Sequence, residues 1–334
     1  MNIEVENMKI SVAMATYNGS RYIREQLESI AAQTRQPDEL IVSDDGSTDE
    51  TTSIVRNFAK NVSFEVILLE HQERLGVSKN FEQAIARTSG ELVFLCDQDD
   101  IWFPEKIAVM TEYFTSHPGI HIAIHDCKFL FGDGNMQGGS MTKNAGRIIG
   151  GQADHVQGCC TVATKKLMEI SFPLPSLECG TLGFDGHLHA IGYDLEVRAV
   201  VDQSLQLYRR HDSNISQSLL NSINQPNFGA RQTHLLRKLF QLINSSSERL
   251  EILQQRNQLI KLVIERLKKK NLFEEQEASS FLNKLYSKSK ALEQRCKIIK
   301  INQLIRPIPA AWLYLRGGYR NFSGFKSLLV DMLL

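Results

Sequence analysis

The amino-terminal half of the chain alternates short apolar runs with segments whose apolar residues recur every three or four positions. The runs predict β-strands at residues 10–15, 39–43, 64–69, 92–96 and 121–125. The recurring segments predict helices at residues 20–34, 48–59, 77–87 and 104–116. Because strand–helix alternation builds right-handed βαβ units, we expect an α/β fold with a mostly parallel, twisted sheet flanked by helices.

The pattern changes in the second half. A glycine-rich stretch at residues 131–151 predicts a mobile loop, and further strands are predicted at 156–163, 196–201 and 205–209, with a helix near 185–191. After about Ala230 the chain is predicted to be helical, and an apolar seam from Leu250 to Leu267, interrupted by Asn257, favours an intramolecular helix pair. We therefore place one α/β domain at residues 1–228 and a helical region at 229–334.

Charge supports this division. The chain carries 38 basic and 38 acidic residues, but residues 1–230 hold 18 basic and 30 acidic ones, and residues 231–334 hold 20 and 8. A basic tail on an acidic domain fits contact with a membrane surface or nucleic acid, or docking of the tail on the acidic domain. Apolar residues at 42% exclude a disordered or low-complexity chain.

The cysteines and the first residues of the chain indicate the cellular compartment in which the protein is expected. The six cysteines show no C-x-x-C spacing, which predicts reduced thiols in a cytoplasmic protein rather than a disulfide framework or zinc site. Residues 1–9 carry Glu4 and Glu6, and no apolar run of signal-peptide length follows, so we expect no secretory signal. No apolar run is long enough for a transmembrane helix.

Polar clusters follow the first two predicted strands, where parallel sheets bind ligands. The segment A-T-Y-N-G, with Thr16 and Tyr17, offers backbone groups and an aromatic face, although ordinary turns share this composition. In S-D-D-G-S-T-D, Asp45 can accept hydrogen bonds from a ribose or a base. Asp49 is expected to cap the next helix. Asp44 either contacts a ligand or has a turn or capping role.

Two further clusters suggest a metal site. C-D-Q-D-D-I-W follows the fourth strand, and Asp97 and Asp99 project to one side while the backbone stays extended. Two hard carboxylates suit Mg²⁺ or Mn²⁺, whereas Asp100 is expected to point away and orient loops. In Y-R-R-H, His211 is a candidate third ligand or phosphate donor, with a packed or surface histidine as the alternative.

Taken together, these motifs resemble the inverting family 2 glycosyltransferases over about residues 9–216. The resemblance is greatest to the rhamnosyltransferase-like branch, in which C-D-Q-D-D-x-W-x-P-x-K is typical. It implies a GT-A fold, a nucleotide-diphosphate sugar donor, a divalent cation (Mn²⁺ or Mg²⁺), and a catalytic domain at 1–228. The matching positions are Thr16 and Tyr17 lining the nucleotide base, Asp45 contacting it, Asp97 and Asp99 holding ribose and metal, and His211 completing the metal or diphosphate site.

An inverting transferase also needs a general base for the acceptor hydroxyl. Asp185 stands where family members carry this acid before a helix, and helix capping is its alternative role. His187, His189 and Glu178 are reserve candidates. Arg74 replaces an asparagine common in relatives, and either touches donor phosphate or lies on the surface.

The resemblance implies an enzyme of cell-surface polysaccharide biosynthesis, with dTDP-rhamnose as one donor and a saccharide or lipid-linked saccharide as acceptor. The alternatives are a UDP-hexose or N-acetylhexosamine transferase, and a catalytically silent nucleotide- or glycan-binding partner in a synthase complex. A nucleic-acid partner is not expected, because basic and aromatic residues do not interleave on a known binding fold. Residues 312–334 suit a peripheral contact with the inner face of an anionic bilayer, or packing on the catalytic domain.

Overall fold

The computed structural model describes residues 8–131, 136–138, 158–174, 183–211, 246–301, 306–319, 322 and 324–333. The described residues up to 211 belong to one compact unit, and those from 246 onward belong to a second. The expected domain boundary at 228/229 and most of the expected loop at 131–151 lie outside the described residues.

Nine strands among the described residues form one sheet in the first unit. In chain order they are β1 (Ile10–Thr16), β2 (Glu39–Asp44), β3 (Glu65–Glu70), β4 (Leu92–Cys96), β5 (Ile101–Trp102), β6 (Ile122–Phe131), β7 (Met136–Gly138), β8 (Thr161–Thr164) and β9 (Arg198–Arg210). Their spatial order is β3-β2-β1-β4-β8-β6-β9-β5, and β7 pairs with β6.

The sheet is parallel in its first half and mixed in its second. β3, β2, β1 and β4 run parallel, as their alternation with helices predicts. β8 runs antiparallel to both β4 and β6, and β5 runs antiparallel to β9. The two strands predicted at 196–201 and 205–209 form the single strand β9, whose pairing with β6 shifts register after His125.

Helices cover the sheet because each carries an apolar stripe. They are α1 (Ile23–Ala31), α2 (Thr51–Ala59), α3 (Val77–Arg87), α4 (Lys106–Ser116), α5 (Lys165–Ser171) and α6 (Phe184–Leu195). β2 and β4 are buried along their whole length, as strands covered on both faces are. Leu27 of α1, Val55 of α2 and Ile107 of α4 pack in the core that these strands form. The polar ends of β1, β2 and β4 therefore meet at one edge of a rigid sheet.

The second unit is helical, with α7 (Ser246–Lys270), α8 (Glu275–Ile299), α9 (Pro307–Leu315) and α10 (Phe325–Leu333). The predicted seam pairs α7 with α8, and Asn257 Oδ1 accepts a hydrogen bond of 2.6 Å from Ser289 Oγ. Arg295 of α8 forms a buried ion pair with Asp331 of α10, 2.7 Å between Nε and Oδ2. Within the described residues, no helix combines the length and the apolar character needed to cross a bilayer.

Candidate active site

The turns after β1 and β4 are joined by one side chain, Gln98. Its Oε1 accepts from Tyr17 N at 2.9 Å, and its Nε2 donates to Tyr17 O at 3.1 Å. A Cβ at Gly19 would lie 2.2 Å from Gln98 Oε1, so any larger residue there would displace the Gln98 amide from Tyr17. Gln98 was not predicted as a site residue, because its partner lies 81 positions away in the sequence.

The turn after β2 fastens to the turn after β1 through Asp44. Thr16 Oγ1 donates to Asp44 Oδ2 at 2.7 Å, and Ser47 N donates to Asp44 Oδ1 at 2.7 Å. Thr16 and Asp44 are both buried. Asp44 therefore stabilises the turn, which is one of the two roles expected from the sequence. It also fixes the Thr16 hydroxyl by accepting its hydrogen bond.

Asp45 and Tyr17 come together through the segment before α3. Asp45 is buried, and its carboxylate accepts from Leu75 N at 2.5 Å and from Gly76 N at 3.1 Å. Arg74 lies with its guanidinium carbon 3.8 Å from the Tyr17 ring centroid and its Nε 3.7 Å from Asp45 Oδ2. Arg74, 60% exposed, thus covers the two residues expected to contact a base.

The carboxylates after β4 are arranged differently from the expectation. The backbone bends at residues 98–99 instead of staying extended. As a result Asp97 groups with Asp100, which was expected to point away, and with Cys159; their potential ligand atoms lie within 4.8 Å of one another. Burial, with repulsion from Asp99, raises the pKa of Asp100 to about 7, and burial raises the pKa of Asp97 well above its usual range.

A buried polar network lies behind these carboxylates. Lys106 Nζ donates to Gln206 Oε1 at 2.6 Å and to Cys159 O at 3.0 Å, and lies 3.8 Å from the Trp102 ring centroid. Gln206 Nε2 donates to Asp100 Oδ2 at 2.9 Å. Burial lowers the pKa of Lys106, opposed by the neighbouring cysteines and Asp100. This network was not predicted; its signal in the sequence is the lysine that closes the D-Q-D-D-I-W-F-P-E-K motif.

Asp99 meets His211 across the end of β9. Asp99 Oδ2 and His211 Nε2 are 2.8 Å apart, and the His211 ring stacks on Tyr22 with centroids 4.8 Å apart. Arg209 donates from Nε to Asp99 O at 2.8 Å and from its backbone N to Asp100 Oδ1 at 3.0 Å. The end of β9 therefore holds the acidic turn in place from the opposite side.

Asp185 lies in the first turn of α6, and Gly183 is the N-cap residue of that helix. Asp185 Oδ1 accepts from Gly186 N at 2.8 Å, and the carboxylate also accepts from Gly158 N. Burial raises the pKa of Asp185, and its charge is close enough to raise the pKa of Asp97. The structure thus brings the candidate base to the acidic cluster.

The three reserve candidates for the general base lie in different surroundings. His189 is buried, with Nε2 2.8 Å from Thr161 Oγ1 and Nδ1 accepting from Arg198 Nε at 2.9 Å. Burial lowers the pKa of His189 well below its usual range, so this histidine is a neutral packing residue. His187 Nδ1 is 3.0 Å from Gly183 O at the start of α6. Glu178 lies outside the described residues.

The cysteines near the site are thiols. Cys96, Cys127, Cys159 and Cys160 are free and buried, and Cys296 in α8 is also free. Burial raises the pKa of Cys159 and Cys160 well above the usual thiol range. Cys179 lies outside the described residues.

Sequence and structure comparisons place the chain among known proteins. The family model described as Glycosyl transferase family 2 matches residues 11–169. An uncharacterized protein of Mycobacterium tuberculosis is 29% identical over 210 residues, which cover 60% of this chain and 59% of that protein. The dTDP-rhamnosyl transferase RfbG of Shigella flexneri is 39% identical over 98 residues, covering 28% of this chain and 34% of that protein. The chain therefore spans less than two thirds of the length of these relatives.

The fold has a solved counterpart. The crystal structure of S. aureus TarS in complex with UDP-GlcNAc aligns with a TM-score of 0.50 at 17% identity, covering 97% of this chain and 90% of that chain. This likeness, together with the mixed sheet flanked by helices, confirms the predicted GT-A fold. The chain carries, over residues 11–169, a domain of glycosyltransferase family 2.

Proposed function

We propose that the chain transfers a sugar, with inversion, from a nucleotide-diphosphate donor to a hydroxyl of a saccharide or lipid-linked saccharide in cell-surface polysaccharide biosynthesis. The observation that carries the proposal is the meeting of Asp99 with His211, 112 positions away, at the turn that also carries Asp97. Such a convergence of carboxylates and an imidazole at the carboxyl ends of strands suits group transfer from a charged donor.

The donor nucleotide would lie over the turns after β1 and β2. Tyr17 offers its ring to the base, Asp45 offers acceptor oxygens beside it, and Thr16 fixes the turn that carries both. The dTDP-rhamnosyl transferase among the relatives supports dTDP-rhamnose, and the UDP-GlcNAc complex of TarS supports a UDP-N-acetylhexosamine as the alternative donor. A catalytically silent nucleotide-binding partner is the competing reading.

Asp97, Asp99 and His211 are the residues that would hold Mn²⁺ or Mg²⁺. The donor set fits a divalent cation: Asp99 and His211 meet at 2.8 Å, and Asp97 lies two positions before Asp99, its pKa raised by burial and by repulsion from Asp100 and Asp99. Asp100 and Cys159 lie beside Asp97 and complete the polar surroundings. When bound, the cation would offset the charge that develops on the leaving nucleotide diphosphate.

Asp185 would take the proton from the acceptor hydroxyl, and that oxygen would attack the anomeric carbon from the face opposite the diphosphate. Burial raises the pKa of Asp185, which makes it a stronger base than an exposed carboxylate. We place the enzyme in the cytoplasm, peripheral to the inner face of the membrane, where a lipid-linked acceptor is presented.

Donor turnover tests the proposal. The purified chain with Mn²⁺ is given dTDP-rhamnose, UDP-sugars and GDP-sugars with and without acceptor saccharides, and released nucleotide diphosphate is measured. We expect release from one donor, lost with EDTA and in Asp99→Ala, and kept in the control Asp202→Ala, an exposed position of β9. Nucleotide binding by calorimetry without turnover of any donor would favour the silent partner, and no binding would refute both.

A further inference from the structure

α9 is apolar along its whole length, with the sequence P-I-P-A-A-W-L-Y-L. One side packs inward: Ala310 and Leu313 are buried against Ile298, Tyr319 and Leu328. A helix that is apolar on every side is normally covered on every side. The inward packing of α9 covers one side only.

The other side of α9 is open to solvent. Ile308 is 76% exposed, Trp312 50% and Leu315 83%. These residues are four and three positions apart, so they form one stripe along the helix. Scattered exposed apolar residues need no explanation, but a continuous stripe of large ones marks an interaction surface.

Charge identifies what covers this stripe. Residues 294–330 contain seven basic residues and no acidic one. Arg295 is neutralised by Asp331, but Lys297, Lys300 and Arg316 are exposed. The Arg316 guanidinium carbon lies 3.8 Å from the Trp312 ring centroid, at the carboxyl end of the stripe. Apolar side chains, an indole and cations in one short segment match the interface of an anionic bilayer.

We propose that α9 lies flat in the surface of an anionic phospholipid bilayer. Ile308, Trp312 and Leu315 insert at the boundary between headgroups and acyl chains, and Arg316 stays at the level of the lipid phosphates. The exposed Lys297 and Lys300, at the carboxyl end of α8, add long-range attraction to the negative surface. This inference rests on the second unit alone and does not depend on the transferase proposal.

Tryptophan fluorescence reports on α9 directly. The chain has two tryptophans, and Trp102 is 2% exposed in the first unit, so a change in emission on adding vesicles comes from Trp312. We expect a blue shift and co-sedimentation with vesicles of phosphatidylcholine and phosphatidylglycerol, and much weaker binding to phosphatidylcholine alone. Brominated acyl chains should quench the shifted emission.

Acidic substitutions test the stripe. The double variant Ile308→Glu/Leu315→Glu should lower the vesicle partition coefficient by at least about tenfold, because both carboxylates would have to leave water. The control Tyr286→Glu, an exposed aromatic position of α8, should bind as the parent chain does. Circular dichroism checks that each variant is folded. If the double variant does not fold, quenching of Trp312 emission by brominated lipid in the parent chain still tests the proposal.

Three results would overturn the inference. The first is an unshifted and unquenched emission with anionic vesicles. The second is equal binding by the double variant and the parent chain. The third is a concentration-dependent dimer in sedimentation that the double variant abolishes while no variant binds vesicles, which would make the stripe a contact between two copies of the chain.

Discussion

His211 Nε2 lies 2.8 Å from Asp99 Oδ2, although 112 positions separate the two residues. β9 carries His211 back along the sheet to the turn that follows β4, and Tyr22 stacks on the imidazole to fix its plane. Each side chain is 13% exposed, so the pair is accessible yet well supported. The two atoms are close enough for one bound cation to contact both.

Replacing His211 by glutamine should weaken the dependence of turnover on the cation. The amide can keep a hydrogen bond to Asp99 but is a poor metal ligand, so the Mn²⁺ concentration for half-maximal donor turnover should rise about 10- to 100-fold. The control His117→Gln changes an exposed histidine of the same unit. An unchanged Mn²⁺ titration in His211→Gln would remove this histidine from the ligand set.

Asp185→Asn should abolish transfer and keep donor binding. The asparagine retains an oxygen for Gly186 N and Gly158 N but cannot take a proton, so kcat should fall by about 100-fold or more while the nucleotide Kd by calorimetry is unchanged. In the parent enzyme, burial raises the pKa of Asp185, so the acid limb of kcat/KM should lie above the range of an exposed carboxyl group. Full transfer by the variant would assign the base elsewhere.

Tyr17→Ala should weaken nucleotide binding by about 5- to 100-fold, since the base loses its aromatic partner. Tyr17→Phe keeps the ring under Arg74 and the backbone bonds to Gln98, and should bind within a factor of a few of the parent chain. Calorimetry with dTDP and UDP measures both. Equal loss in the two variants would show that the hydroxyl, not the ring, is what the nucleotide needs.

Lys106→Met should destabilise the first unit by roughly 3 kcal/mol, because the substitution removes the buried cation and leaves Gln206 Oε1 and Cys159 O without their donor. Lys60→Met, at an exposed lysine after α2, should stay within about 0.5 kcal/mol. Urea unfolding followed by tryptophan emission gives the comparison, with Trp312→Phe in both variants and in the parent chain so that Trp102 alone is observed. Equal free energies of unfolding for Lys106→Met and the parent chain would mean that the buried network makes no net contribution to stability.

Stability without metal should be greatest near neutral pH. Asp100 ionises near 3.8 in the unfolded chain and at about 7 in the folded one, so its burial costs stability as the pH rises through that interval. Burial keeps His125 and His189 neutral, so acidification below 6.5 costs stability as the unfolded chain takes up protons. In EDTA, the melting temperature should fall from about pH 6.5 to about pH 8, and Mn²⁺ should reduce that fall. A melting temperature that rises over this interval would contradict the assignment.

The parallel half of the sheet was predictable because its strands are short apolar runs bounded by polar turns. β1, β2 and β4 begin and end within one residue of the prediction. The bounds of the antiparallel strand β8 were predicted only roughly. An antiparallel strand needs no crossover helix, so no helical pattern next to it marks its position in the sequence. The predicted break near residue 202 in β9 is absent because the strand continues along β6 through a shift of register.

Most residues of the candidate site were predicted from the sequence, but which of them lie next to one another was not. Asp97 and Asp99 were expected on one side because the backbone was assumed to stay extended after Cys96. Gln98 instead bonds to the backbone of Tyr17, and the bend brings Asp100 beside Asp97. Such a bend depends on a partner 81 positions away, which local sequence patterns do not report.

The contact between Gly19 and Gln98 constrains how this protein can evolve. A side chain at position 19 would occupy the space of the Gln98 amide, and a shorter residue at 98 would release both bonds to Tyr17. Either change would loosen the turns that carry Tyr17 and Asp97. A substitution at one of the two positions should therefore favour a compensating substitution at the other.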